Sequence, residues 1–184
     1  TPPQTPTVDS LLTNDPTPVI TGTAEPFTTV TITVGGATFS RVVEGDGTWS
    51  LDTGAVAPDS GAFAPNTNGT NEVAVVSTDA AGNSTADAST NELTIDTTAP
   101  GVDIQGEPAL SNSAYTVTFE FTEDVTGFTG ADVTLNNATL SDFTTVDGNT
   151  YTATITPIAD GPVTVDIASA VAQDAAGNDN TAAT

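Results

Sequence analysis

Apolar side chains alternate with threonine along several short segments of this chain. In residues 115–121, tyrosine, valine and phenylalanine occupy every second position, with threonine or glutamate between them. Residues 151–156 and 163–167 show the same alternation. A period of two is typical of a β-strand that has one face in the core, and no segment shows the period of a helix. The pattern therefore predicts an all-β protein.

The first half of the chain alternates less clearly, and turn signals divide it. Gly35-Gly36 and Asp46-Gly47 are dipeptides that favour tight turns between antiparallel strands. Trp49 and, in the second half, Phe119 are the expected core anchors, because aromatic residues are few. The strands expected in the first half are residues 19–22, 28–34, 38–43, 48–51, 72–77 and 86–95.

One pentapeptide occurs twice and divides the chain into two parts. Asp79-Ala-Ala-Gly-Asn83 recurs as Asp174-Ala-Ala-Gly-Asn178, 95 residues later. Between the copies lies Asp96-Thr-Thr-Ala-Pro100, whose proline ends a strand and stiffens a short connection. Many short strands with closely spaced turns fit a sandwich of two antiparallel sheets. We therefore expect two tandem β-sandwich domains, residues 1–97 and 98–184.

The charge of the chain is almost entirely negative and restricts its chemistry. Twenty-four Asp and Glu residues oppose one basic residue, Arg41, and there is no histidine or cysteine. The usual catalytic bases, thiolates and soft metal ligands are therefore missing, and we expect no enzyme activity. Paired carboxylates could in principle cleave sugars, but the aromatic content of 5% leaves little to stack a sugar ring.

The same charge also excludes two classes of partner. A formal net charge of −23 repels nucleic acid and anionic membrane surfaces, which both require a basic patch. No apolar run is long enough for a membrane span, so direct membrane insertion is not expected. The metal ligands that the chain can offer are hard oxygen atoms, which are the ligands that calcium prefers.

Short motifs follow one another in a particular order along both halves of the chain. The first half contains Thr13-Asn-Asp-Pro-Thr-Pro18, Gly22-Thr-Ala-Glu-Pro26 and Gly45-Asp-Gly-Thr-Trp49 before the pentapeptide and the linker. The second half contains Phe121-Thr-Glu-Asp-Val125, Gly127-Phe128 and Ala131-Asp-Val133 before its own pentapeptide. In order and spacing these motifs resemble the bacterial Ig-like domains that repeat in giant surface adhesins, including the RTX type.

The resemblance covers nearly the whole chain, and it implies a fold and a function. The fold would be two tandem Ig-like antiparallel β-sandwich domains. The function would be that of an extracellular, cell-surface extender in a biofilm adhesin, a module that holds a distal binding tip away from the cell. Such extenders are often made rigid by calcium, and their partners are the neighbouring Ig-like repeats of the same polypeptide.

Candidate calcium ligands follow from the topology of such a sandwich. The loop between the second and third strands lies at the same end as the loop before the last strand, which is where the chain enters. Calcium accepts about 6–8 oxygen ligands, including backbone carbonyls and water, so a few carboxylates suffice. The same pentapeptides are also ordinary turn formers whose side chains cap nearby amides, so the sequence leaves both interpretations open. The candidate ligands are Glu25, Asp79 and Asn83 in the first domain, Asp96 and Asp103 near the domain junction, and Glu123, Asp124, Asp174 and Asn178 in the second domain.

Two departures from the family pattern suggest alternative functions. Residues 54–69 form a long stretch where the family has a short turn, and we expect an exposed loop there. If this loop lines a binding pocket, one domain could directly recognise a glycan, a surface or a protein partner. Only six residues follow Asn178, so we expect an incomplete last strand. The resulting open sheet edge could pair with a strand from another chain.

Overall fold

The computed structural model describes residues 1–108 and 111–184, and it divides the chain into two units, residues 1–97 and 98–184. Each unit is built from short β-strands, as the alternating pattern predicts. The described residues contain no α-helix, and a single turn of 3₁₀-helix covers Gly130–Asp132. No helix in the described part of the chain has the length and apolar character needed to span a bilayer.

Unit 1 has eleven strands in three small sheets. One sheet has the order β1-β3-β6, the second β10-β9-β4-β5-β7, and the third β2-β11-β8. All pairs are antiparallel except β2 and β11, which run parallel. The strands are β1 (Thr7–Val8), β2 (Leu11–Thr13), β3 (Val19–Thr23), β4 (Thr29–Val34), β5 (Ala37–Val42), β6 (Thr48–Asp52), β7 (Ser60–Gly61), β8 (Asn68–Asn71), β9 (Val73–Thr78), β10 (Ser84–Ala86) and β11 (Leu93–Asp96).

The core of unit 1 is made by every second residue of these strands. In β4, Val30, Ile32 and Val34 are buried, whereas the threonines between them face outward. Trp49, an expected anchor, is only 2% exposed and lies in the same cluster. The alternation thus places the aliphatic side chains inside and the threonines on the solvent-facing side, as a half-buried strand requires.

Unit 2 has a four-stranded sheet in the order β12-β13-β16-β15 and a two-stranded sheet of β14 and β17. Its core is aromatic, and Phe128 makes edge-on contacts with Phe119, Phe121 and Tyr151 at centroid distances of 5.1–5.6 Å. The strands are β12 (Val102–Gln105), β13 (Tyr115–Phe121), β14 (Val133–Asn136), β15 (Ala138–Thr145), β16 (Thr150–Pro157) and β17 (Thr164–Ile167).

The predicted strand over residues 86–95 was wrong, because the chain leaves the sheet between β10 and β11. Asn91 adopts a left-handed conformation with φ of 62°. Beside it, the buried carboxylate of Glu92 accepts a hydrogen bond from the amide of Val73 at 3.2 Å. A polar side chain that captures a backbone amide competes with strand pairing, and alternation alone does not reveal it.

The stretch over residues 54–69 is partly anchored. It contains β7, and Phe63 packs edge-on against the buried ring of Phe39 with ring centroids 6.3 Å apart. Two adjoining cavities of about 600 and 490 Å³ lie elsewhere, beside Tyr115 and Pro157 in unit 2, and the 54–69 stretch lines neither of them. Phe63, the aromatic residue of this stretch, therefore packs against the core of unit 1 and lines neither cavity.

Candidate functional site

The pentapeptide Asp174–Asn178 in unit 2 is a turn closed by its own first side chain. Asp174 Oδ1 accepts hydrogen bonds from the amides of Gly177 and Asn178 at 2.7 and 2.8 Å. Asp174 Oδ2 accepts a third from Asn178 Nδ2 at 2.8 Å. Asp174 is 6% exposed, so this carboxylate lies in the interior of the unit.

A bridge between two loops brings Glu123 to this turn. Thr126 and Gln173 exchange backbone hydrogen bonds of 2.8 and 3.0 Å, which ties the loop after β13 to the residue before Asp174. As a result, one carboxylate oxygen of Glu123 lies within 4.8 Å of one of Asp174. Two residues 51 positions apart in the sequence thus form an acidic pair at one end of unit 2.

The segment that enters unit 2 is held at the same end. The carbonyl of Pro100 accepts the amide of Thr181 at 2.9 Å. Gly101 donates its amide to Thr122 Oγ1 at 3.0 Å and accepts the amide of Thr122 at 2.9 Å. Thr122 immediately precedes Glu123, so the incoming chain is fixed next to the acidic pair.

Asn180 supports the turn and was missed by the sequence reasoning. It is 2% exposed, and its Oδ1 accepts the amides of Val171 and Ala172 at 2.9 and 2.8 Å. Its Nδ2 donates to the carbonyls of Ala168 and Thr181 at 2.9 and 2.8 Å. All four hydrogen-bonding positions of the amide are filled. In the sequence Asn180 is one more polar residue after a turn, and only long-range packing distinguishes it.

Unit 1 repeats the turn with Asp79 and Asn83. Asp79 Oδ1 accepts the amides of Ala81 and Asn83 at 2.8 and 2.9 Å, and Oδ2 accepts Asn83 Nδ2 at 2.8 Å. The side-chain and backbone hydrogen bonds from Asn83 lower the pKa of the Asp79 carboxyl below its ordinary value. Both pentapeptides therefore use the turn chemistry that the sequence suggested.

Glu25 lies on the loop of unit 1 that corresponds to the Glu123 loop. Its Oε2 accepts the amide of Gln4 at 3.0 Å, and Thr85 Oγ1 donates to the carbonyl of Pro3 at 2.8 Å. The incoming chain is therefore fixed in both units by the same two kinds of neighbour, the loop with the acidic residue and a threonine that follows the pentapeptide turn. No three carboxylates within unit 1 alone come within 4.8 Å of one another in the described residues.

The remaining candidate ligands lie in other surroundings. Asp103 is exposed on β12 directly opposite Glu120, and the side-chain amide of Gln105 donates to both carboxylates at 2.9 and 2.7 Å. Asp124 is exposed and faces Gly148, where an added Cβ would lie 2.5 Å from its Oδ1. Asp96 is the last residue of β11 and pairs with Asn68.

Sequence profiles of the bacterial Ig-like domain match the chain twice, over residues 6–97 and residues 96–184. The first match alone covers half of the 184 residues. The chain belongs to the bacterial Ig-like domain family. The resemblance inferred from the motifs is confirmed, and so is the fold of two Ig-like β-sandwiches. Asp96 falls within both matches.

Solved structures with similarity to these two Ig-like domains include three adhesins, each 21% identical in sequence. A 1.5-MDa bacterial ice-binding adhesin, studied for host cell surface retention, gives a TM-score of 0.47 and is matched over 99% of this chain and 63% of its own. A tetra-tandem repeat from the extending region of a large adhesion protein gives 0.36, with 98% and 48% covered. A Ca²⁺-stabilized adhesin that helps an Antarctic bacterium reach out and bind ice gives 0.46, with the same coverage.

The chain thus spans between about half and two thirds of these solved chains. No protein of curated function matches it.

The oxygen atoms of the Glu123–Asp174 pair fit a hard cation. Both side chains are carboxylates, and Asp174 Oδ2, which accepts one hydrogen bond from the turn, keeps acceptor capacity for a cation. The turn also fixes the orientation of Asp174, so a cation would meet a preformed ligand. Calcium tolerates irregular oxygen sites with backbone and water ligands, whereas magnesium demands a near-ideal octahedron. The donor set of this Ig-like domain is therefore of the kind that a hard divalent cation such as calcium accepts.

Proposed function

We propose that this chain is a structural extender segment of an extracellular, cell-surface bacterial adhesin, and that calcium makes it rigid. Two consecutive Ig-like domains joined by a short connection support the extender role. A spacer requires a stable fold and no catalytic group, which agrees with a chain that lacks histidine, cysteine and lysine. Its partners are the neighbouring Ig-like repeats of the same polypeptide.

The observation that carries the calcium proposal is the Glu123–Asp174 pair. Two carboxylates within 4.8 Å repel each other, and burial of Asp174 increases the cost because fewer water molecules screen its charge. A cation between them would convert this repulsion into attraction. The hydrogen bonds from Gly177 and Asn178 stabilise the charge on Asp174, but they do not remove its repulsion with the carboxylate of Glu123.

Asp96 is the proposed third ligand. It stands four residues before Pro100, which is hydrogen-bonded to Thr181 at the end of unit 2 that carries the pair. Four residues span at most about 14 Å, so the linker can deliver the carboxylate of Asp96 to the pair. Calcium bound by all three side chains would then fix the linker to the second domain.

Thermal unfolding in calcium, in EGTA and in magnesium tests this proposal. At about 5 mM calcium and the affinity of about 10⁻⁴–10⁻³ M that is typical of extracellular modules, binding would stabilise the fold by about 1–2.3 kcal/mol. We expect a rise of the melting temperature in calcium that magnesium does not reproduce. Small-angle scattering of the same samples should show a narrower distribution of particle dimensions in calcium.

Three variants identify the ligands. Glu123→Gln and Asp96→Asn preserve shape and remove one charge, and each should abolish most of the calcium-dependent rise. In EGTA, Glu123→Gln should be as stable as the parent or more stable, because it removes repulsion with Asp174. Asp142→Asn, at an exposed position, is the matched control and should keep the full response. Equal melting temperatures in calcium and EGTA would show that the pair binds no calcium and that the pentapeptides act only as turns.

A further inference from the structure

Phe27 occupies a position that favours glycine. The carbonyl of Glu25 accepts the amide of Thr28 at 3.3 Å and the hydroxyl of Thr28 at 2.7 Å, which closes a four-residue turn. Proline is second in this turn and Phe27 is third, with φ of 64°. A turn with proline second and a positive φ at the third residue is of type II, where glycine is the usual third residue. A phenylalanine there strains the backbone.

The ring of Phe27 does not serve the hydrophobic core. Phe27 is 78% exposed, the highest value among the large apolar residues in the described part of the chain. The edge of the ring lies over the turn between β5 and β6, where a Cβ on Gly45 would be 3.2 Å from Phe27 Cζ. Pro26 lies beside Gly47 of the same turn. The two loops therefore present an exposed apolar surface, Pro26 and Phe27, which we call the Phe27 patch.

The two loops that form the Phe27 patch carry three carboxylates and no basic residue. Glu25 precedes it in its own loop, and Glu44 and Asp46 flank Gly45 in the turn below the ring. Arg41 instead donates its Nη1 to the carbonyl of Ser40 at 2.7 Å, and the described residues contain no ion pair between it and these acids. An exposed aromatic ring on loops that carry three negative charges is complementary to a cation with an apolar stem.

We propose that the Phe27 patch is a docking surface for an arginine side chain of a partner protein. A guanidinium group can stack on the ring of Phe27 and pair with a carboxylate of the same two loops, and its apolar stem can cover Pro26. Lysine is the poorer fit, because its compact ammonium is more strongly hydrated and cannot stack. This surface shares no residue with the Glu123–Asp174 pair, and it would give the segment a recognition function beyond that of a spacer.

The test uses the whole chain and a capped hexa-arginine peptide at physiological salt, followed by amide chemical shifts in a titration. We expect the largest shifts at Phe27 and Gly45, and weaker binding of hexa-lysine. Phe27→Gly should weaken hexa-arginine binding about two- to fivefold, as expected for the loss of an exposed cation–π contact. Its melting temperature should be equal to or above that of the parent, because glycine relieves the strained φ.

The double variant Glu44→Gln/Asp46→Asn should also weaken binding, and more than Asp59→Asn/Asp142→Asn, which removes the same charge from exposed positions outside the patch. Three outcomes would overturn the proposal. The first is unchanged affinity in Phe27→Gly. The second is a set of shifts spread evenly over all acidic loops. The third is a lower melting temperature of Phe27→Gly, which would make the ring a structural clamp on the turn below it.

Discussion

The carboxylate of Asp174 binds Asn178 twice, through the backbone amide to Oδ1 and through the side-chain amide to Oδ2, both at 2.8 Å. Asp79 and Asn83 make the same two bonds in the first domain, at 2.9 and 2.8 Å. The repeated pentapeptide is thus a structural unit whose turn is closed by its own hydrogen bonds, without a metal ion. Burial distinguishes the two copies, because Asp174 is interior and Asp79 is partly exposed.

Replacing Asp174 by alanine should destabilise the second domain even in EGTA. The substitution leaves the amides of Gly177 and Asn178 without their acceptor, and hydrogen bonds to a charged group are worth about 1.5–3 kcal/mol. Urea unfolding followed by circular dichroism measures this loss. Asp79→Ala is the matched variant in the first domain and should cost less, because water can reach the exposed turn. Equal costs at the two positions would contradict the role assigned to burial.

The stability of the first domain should fall in mild acid. Hydrogen bonds from Asn83 lower the pKa of Asp79 in the folded state, so this carboxylate contributes stability above its unfolded pKa of about 3.9. That contribution is lost as the pH falls through the lower, folded pKa. Urea unfolding between about pH 6 and pH 3, followed by the fluorescence of Trp49, should show the fall, and Asp79→Asn should reduce its slope.

Asp46 provides a second test of the same linkage. The hydroxyl and the amide of Thr48 lower the pKa of its carboxyl, so its contribution has the same sign and the same acid window. Asp46→Asn should therefore remove a separate part of the acid dependence. If the double variant with Asp79→Asn loses no more of the slope than either single variant, the two turns are not independent.

Asn180→Asp should destabilise the second domain strongly despite its close similarity in shape. The change replaces the two donors of Nδ2 by a carboxylate oxygen that would face the carbonyls of Ala168 and Thr181. Oδ1 would keep its two amide donors, but a buried, charged oxygen that faces two carbonyls is among the few causes of losses above about 4 kcal/mol. Thermal unfolding compares it with Asp179→Asn, a neighbouring exchange at an exposed residue, which should have little effect. A mild effect of Asn180→Asp would mean that water reaches this amide.

Gly22→Ala should destabilise the first domain by overpacking. A Cβ at Gly22 would lie 2.6 Å from Trp49 Cζ2 and would also collide with the carbonyl of Thr7. Overpacking of this kind costs about 1–3 kcal/mol. Gly82→Ala separates the effect of space from that of backbone strain, since Gly82 has φ of 83° but no atom within 4 Å of an added Cβ. Trp49 emission should shift in the Gly22 variant and stay unchanged in the Gly82 variant.

The fold could be predicted from alternation because a β-strand with one face in solvent buries every second side chain. Strands β4, β13 and β16 were found within one residue of their predicted bounds. Short strands such as β2, β8 and β12 have too few residues to alternate visibly and were missed. They are defined by their partners across the sheet, which are distant in the sequence.

The candidate site was predictable in part for a related reason. Asp174 and Glu123 could be proposed together because an Ig-like topology brings their loops to one end. Asp103 and Asp124 have the right residue type in nearby sequence, but pairing with Glu120 and packing on Gly148 decide where their carboxylates lie. The sequence contained no indication of the Phe27 patch, because the positive φ and the exposure of Phe27 are visible only in the structure.

The parallel pairing of β2 with β11 has a mechanical consequence. Leu11, Leu12 and Thr13 stand beside Leu93, Thr94 and Ile95, and the amide of Leu11 donates to the carbonyl of Glu92 at 2.8 Å. One of these strands lies near the start of the first domain and the other is its last. Tension applied along the polypeptide would draw the two strands in opposite directions along their length. The ladder between them would be loaded in shear, with its hydrogen bonds resisting together instead of opening one after another.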